Sequence, residues 1–174
     1  MRSHLTKQRG FTVIELLVVI AIIAILSSIV VVSLSSDRLK ARDTRRVADI
    51  KEVEKALNIY ALNHNDLPEE QTVNGGCYNN WETSCDFPSS FIDTLRTSGV
   101  MDRVPKDPIN DNEHFYAYFH YDSNDHLSGG DGCPDSYVIL AIKKLEGGQL
   151  AQPVQAACPG RDWLDFDYSI LLKP

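Results

Sequence analysis

From Phe11 to Asn65 the sequence contains neither glycine nor proline, so no residue within that stretch breaks a helix. Cysteine is missing from the first 76 residues, and no Cys-x-x-Cys pair occurs anywhere in the 174-residue chain. None of the five histidines stands at ligand spacing from a cysteine, which argues against structural zinc. There is no phosphate loop, HExxH helix or nucleophile elbow, so no catalytic constellation is legible and no enzyme is expected. Bases are scarce beyond Lys55, with seven Lys or Arg against eighteen Asp or Glu. That balance excludes a general electrostatic grip on nucleic acid, and no nucleic-acid partner is expected.

What the chain does have is concentrated at its start. From Phe11 to Val32 only Thr12, Glu15, Ser27 and Ser28 interrupt a run of apolar residues. A helix over that run, rising 1.5 Å per residue, matches a hydrocarbon core of about 30 Å, whereas a buried core helix of that length carries a polar face. The ten residues before it hold Arg2, Lys7 and Arg9 and no acid. An ordinary secretory signal is cut at a small-x-small site after its apolar stretch. Here the one small-residue site is Gly10, ahead of the run, so cutting there leaves the hydrophobic helix on the mature chain. Glu15 lies inside the apolar segment, where a carboxylate costs about 2.5–3.5 kcal/mol. Pairing it with the new terminal amine of an adjacent copy offsets both burial costs and sets the register of packed helices.

The segment Lys7-Gln8-Arg9-Gly10-Phe11-Thr12-Val13-Ile14-Glu15-Leu16-Leu17 resembles the processing signal of type IV pilins and type II secretion pseudopilins. The stem Ala41 to Tyr60, Leu67-Pro68, and Arg103-Val104-Pro105-Lys106-Asp107-Pro108 with Asn110 are similar to the major pseudopilin of type II secretion. The resemblance implies cleavage after Gly10 by a prepilin peptidase, N-methylation of Phe11, and docking of a new subunit through Glu15. It also implies a homopolymer of such subunits, an inner-membrane assembly platform and membrane lipid as partners. The fold expected is α+β, a long N-terminal helix on a small antiparallel head sheet. Residues 1–10 are then a cytoplasmic leader that is removed, 11–34 the transmembrane and assembly helix, 35–66 an amphipathic stem, and 67–174 the head. The head lies outside the cytoplasm before assembly and in an envelope or surface filament afterwards. The alternative is a membrane-anchored binding protein of the envelope that never polymerises.

Basic residues alone do not fix the orientation. Arg38, Lys40, Arg42, Arg45 and Arg46 outnumber the three bases of the leader, so the positive-inside rule is ambiguous. The processing signal and the cysteines put the leader on the cytoplasmic side. In the stem, Val47, Ile50, Val53, Leu57 and Tyr60 recur at three- and four-residue steps and predict a stripe that a sheet would bury. Charges of both signs from Arg42 to Lys55 are expected on the opposite side, with Asp43 and Arg46 three apart.

Asn63 to Pro68 ends the helix. Glu69 to Pro88 reads as a polar loop, Phe91 to Thr97 as a short helix capped by Ser89 or Ser90, and Phe115–Tyr121 and Tyr137–Lys143 as strands. Phe166–Leu172 is a candidate third strand, and Asp122 to Pro134 a loop.

Cys77, Cys85, Cys133 and Cys158 all lie in the head, in loop-like surroundings that suit two disulfides in an oxidising compartment. Three connectivities exist. Cys77–Cys85 with Cys133–Cys158 is favoured, because each pair brackets one irregular stretch. Major pseudopilins hold calcium in an acidic loop, and the resemblance makes Asp122, Asn124, Asp125 and Asp131 the oxygen ligands to consider here. No other cofactor is expected. His114, His120 and His126 read as strand-surface histidines, and Tyr116, Tyr118 and Tyr121 as packing residues more than a stacking platform for single-stranded DNA.

Overall fold

The computed structural model describes residues 10–71, 76–78, 81–85, 91–121, 136–150, 160 and 165–173, and for residues 29–34 the helical backbone alone. They fall into two compact units, Met1–Leu39 and Lys40–Pro174. One helix, α1, runs Val13–His64. It ends where Asn65 turns to a positive φ of 59° and donates its N–H to the Ala61 carbonyl at 2.8 Å. Asparagine tolerates that left-handed turn better than other side chains.

Within the first unit the large apolar side chains from Phe11 to Leu26 are 47–86% exposed, so the described residues leave them uncovered. Among the described residues, which leave out the side chains of 29–34, no helix is long and apolar enough to cross a membrane.

Among the described residues of the second unit four strands form one antiparallel sheet in sequence order: β1 (Glu82–Thr83), β2 (Tyr116–Tyr121), β3 (Tyr137–Ile142) and β4 (Tyr168–Leu172). The head is thus α+β, as expected. Successive residues of a strand point to opposite faces. Tyr116, Tyr118, Val138, Leu140, Ile142, Ile170 and Leu172 meet Ile50, Val53 and Leu57 of the stem in one core. Phe115, Ala117, Tyr137, Ile139 and Ala141 form a second core on the outer face with Trp81 and Phe166. Both faces are covered, which is why β3 reads as an unbroken apolar run and is buried throughout. Ile50, Val53 and Leu57 are fully buried, as the stripe predicted, and each such side chain contributes about 1.5–3 kcal/mol.

Three expectations need correcting. The loop Glu69–Pro88 contains a strand, because Glu82 and Thr83 pair with Tyr118 and Ala117. The short helix α2 (Asp93–Thr97) has Ile92 at its N-cap with φ 44° and no side-chain cap, so neither Ser89 nor Ser90 holds that position. The Glu82 carboxylate takes over, accepting the Ile92 N–H at 2.6 Å and the Gln71 N–H at 2.9 Å. His120 is buried and not on the surface, because the connector after α1 crosses it. Glu70 Oε2 accepts its backbone N–H at 3.2 Å, and Glu69 Oε2 lies 3.4 Å from its Nδ1.

Candidate assembly site

The amino-terminal site is built from four residues. Gly10 and Phe11 are exposed ahead of α1. Thr12 stands at the N-cap and Glu15 three residues later. The Thr12 Oγ1 accepts the Glu15 N–H at 3.2 Å, and Glu15 Oε2 accepts the Thr12 N–H and hydroxyl, each at 2.8 Å. Reciprocal bonding of this kind satisfies two donors that a helix start otherwise leaves open. The Thr-x-x-Glu spacing ahead of an apolar run signals this box, a second local role for Glu15 besides the charge pairing expected from its place in the apolar segment.

The stem enters the second unit through a charged clasp. Arg46 is fully buried, and its Nε and Nη2 donate to the two Asp107 oxygens at 2.7 and 3.1 Å. Its Nη1 donates to Asp43 Oδ1 at 2.7 Å and to Glu146 Oε2 at 3.0 Å. Arg42 grips Glu146 through both oxygens, at 2.6 and 2.5 Å. Asp43 also accepts the backbone N–H groups of Glu146 and Gly147 at 3.0 and 2.7 Å. The clasp therefore joins α1 to the Pro105–Pro108 loop and to the β3–β4 connection. Arg42 and Arg46 face the head, so the expected wholly outward charged side is corrected at both positions. Two bidentate pairs and the backbone donors satisfy the carboxylates, which a charge buried this deeply requires.

Burial alone would lower the Arg46 pKa, but its bonds to Asp107, Glu146 and Asp43 outweigh that and leave it raised. The Arg42 guanidinium, with Arg46 behind it, holds the Glu146 carboxyl down at about 2. A depressed carboxyl stabilises the fold above its ordinary range and loses that contribution as pH falls through its folded value. The stability gap between the wild-type chain and Glu146→Gln is therefore expected to shrink as pH falls from about 4.5 to about 2, measured by chemical denaturation at stepped pH. Asp49 runs the other way. Burial raises its carboxyl even though the Tyr116 hydroxyl donates to it at 2.8 Å, so acidification relieves it first.

Cys77 and Cys85 are joined by a disulfide, as favoured. Cys133, Cys158, the oxygen set Asp122, Asn124, Asp125 and Asp131, and His126 lie outside the described residues. Among the described residues no cluster of three or more His, Cys, Asp or Glu could hold a metal ion.

Residues 5–31 match the prokaryotic N-terminal methylation motif. The chain is 36% identical over 102 residues to the type II secretion system core protein G of Aeromonas hydrophila, covering 59% of this chain and 68% of that one. It is 32% identical over 148 residues to the protein of the same name from Vibrio cholerae, covering 84% and 89%. The chain belongs to the core protein G family of type II secretion systems. It is also similar to the type IV wide pilus major component PilA4 of Thermus thermophilus, 40% identical over 65 residues, or 37% of this chain and 50% of that one. No solved structure matches. As a member of the core protein G family, the chain is a structural filament subunit and not an enzyme. The methylation motif spans the Gly10–Phe11 junction and the Thr12–Glu15 box, and so coincides with the exposed helix start.

Proposed function

We propose that this chain is the repeating subunit of a type II secretion pseudopilus, anchored in the membrane by a single pass until it is assembled. A prepilin peptidase removes residues 1–10, and Phe11 becomes the N-methylated terminus. Subunits then pack through the apolar half of α1, guided by an inner-membrane platform. The observation that carries this reading is the exposed Gly10–Phe11 junction set directly on a capped helix whose apolar side chains lie bare. Apolar area of that extent has to be buried by lipid first and by copies of itself later. Glu15 Oε2 carries both bonds to Thr12, which leaves Oε1 to meet the amine of a neighbouring copy.

The clasp also supports a cytoplasmic leader. Two of the five bases beyond the apolar run, Arg42 and Arg46, are neutralised by carboxylates of the head, and Arg45 Nε lies 3.7 Å from Asp49. The distal flank of the folded chain is therefore far less basic than its sequence count.

The deciding experiment is the mass and first residue of the protein purified from the envelope. A chain beginning at N-methylated Phe11 is expected, and a chain retaining Met1 would overturn the proposal. The relation to PilA4 favours a type IV pilus as the second reading, separated from the first by whether loss of the protein abolishes secretion or surface fibres.

Calcium at Asp122, Asn124, Asp125 and Asp131 is proposed with it. A ligand that binds only the folded state at a hundred times its Kd stabilises by about 2.7 kcal/mol. Millimolar calcium is therefore expected to raise the melting temperature by several degrees over a chelated control, and an unchanged value would remove calcium from the account.

A further inference from the structure

Within the second unit a groove of about 580 Å³ runs along the stem. Thr44, Val47 and Ala48 of α1 form its floor, Lys40 and Lys51 stand at its ends, and Leu150 from the β3–β4 connection walls one side. The helix positions step by three and four residues, so they share one face. Val47 packs beneath against the stem-side core. Leu150 is 46% exposed, although its N–H donates to the Asp167 carbonyl at 2.9 Å and fixes the backbone there. Asp43 also lines the groove, but its carboxylate is engaged by Arg46 and by the Glu146 and Gly147 N–H groups. What the groove offers an occupant is therefore apolar surface between two lysines.

The bare half of α1 matches such a surface. Its large side chains from Phe11 to Leu26 are 47–86% exposed, and Glu15 is the only acid between Phe11 and Ser36. A lysine beside an apolar helix lays its methylene stem on it and keeps the ammonium in water, so no acidic counterpart is required. Lys40 and Lys51 are eleven residues apart, about 16 Å of helix, which leaves room for a crossing helix about 10–12 Å wide. The groove is also carried by the same helix as the apolar half, and so continues the surface through which the subunits assemble.

We propose that the groove between Lys40 and Lys51 docks the apolar half of α1 from a second copy. This docking rests on the filament proposed above and gives it a receptor surface on the stem. Groove and bare helix are different surfaces, so the contact is heterologous. Each copy gives its helix to one neighbour and its groove to another, which builds an open filament and not a closed dimer. Leu150 brings the head into that contact, where it helps bury what lipid had buried before assembly.

The test puts p-benzoylphenylalanine in place of Leu150 in the full chain, assembled into filaments from mixed light and heavy isotope copies, and maps by mass spectrometry what light attaches to it. Attachment to residues 13–26 of a second copy is expected. Attachment to lipid, to a different protein, to another part of a second copy or only within the same chain would overturn the docking. If the wild-type chain forms no filaments at all, the filament reading falls and the docking with it, whereas filaments without the expected attachment sink the docking alone. In a second arm, Leu150→Asp is expected to lower filament yield about tenfold or more against processed subunit, while the melting temperature of the detergent-solubilised chain holds. Leu150→Met should keep the wild-type yield. Equal yields from Leu150→Asp and wild type would overturn the role of Leu150 in the groove.

Discussion

An Arg46→Ala chain is expected to lose about 3–5 kcal/mol of stability, because it leaves carboxylates buried without their counter-charge. Asp107 is buried and takes both bonds of a bidentate pair from Arg46, while Asp43 and Glu146 share its third nitrogen. Removing the guanidinium takes a donor from all three at once, although Glu146 keeps its pair with Arg42. The loss should appear as a fall in melting temperature on the order of 10 °C or more in the detergent-solubilised full chain.

Two further variants separate charge from volume. Arg46→Met fills most of the space but supplies no donor, and should be nearly as unstable as Arg46→Ala. Adding Asp107→Asn to Arg46→Met removes the stranded charge and keeps an oxygen for the Ile109 N–H, which Asp107 accepts at 2.8 Å. That double variant should recover part of the loss. An Arg46→Ala chain within about 1 kcal/mol of wild type would show that the clasp adds little beyond packing.

The clasp also marks the limit of what the sequence could reveal. Periodicity found the buried stripe because Ile50, Val53 and Leu57 carry their signal within two turns of one helix. Arg46 sits on the same buried side, yet its partners Asp107 and Glu146 are 61 and 100 residues away. Nothing local marks an arginine as paired, and an unpaired one belongs in solvent. The β2 and β3 strands were legible from aromatic and branched residues, whereas β1, with two residues, has no period to read.

His120 failed for a related reason. A strand face reads as open to water, whereas the connector that closes it is fixed by tertiary bonds, the His120 N–H donating to Glu70 and the Tyr118 hydroxyl to the Pro68 carbonyl. The amino-terminal site shows the opposite case. Gly10, Phe11 and Glu15 were legible residue by residue, and the Thr12 box was equally local but went unread.

That box makes the role of Glu15 separable into two parts. Glu15→Ala removes the bonds from Thr12 and the charge together, so its failure to assemble would not distinguish them. Glu15→Gln keeps an amide oxygen that can accept from Thr12, since glutamine serves at this position of a capping box as glutamate does. It lacks only the negative charge. If Glu15 neutralises the amine of an adjoining Phe11, both variants leave that amine unpaired in an apolar surrounding, at a cost of about 3 kcal/mol or more per contact. With every 1.4 kcal/mol worth a factor of ten, filament yield should fall by more than about a hundredfold in both. Both should still be inserted and processed, because Gly10 and Phe11 are untouched. Quantifying sheared filaments against total processed subunit reads the result. Normal filaments from Glu15→Gln beside none from Glu15→Ala would reduce Glu15 to a helix cap and remove the charge pairing from the mechanism.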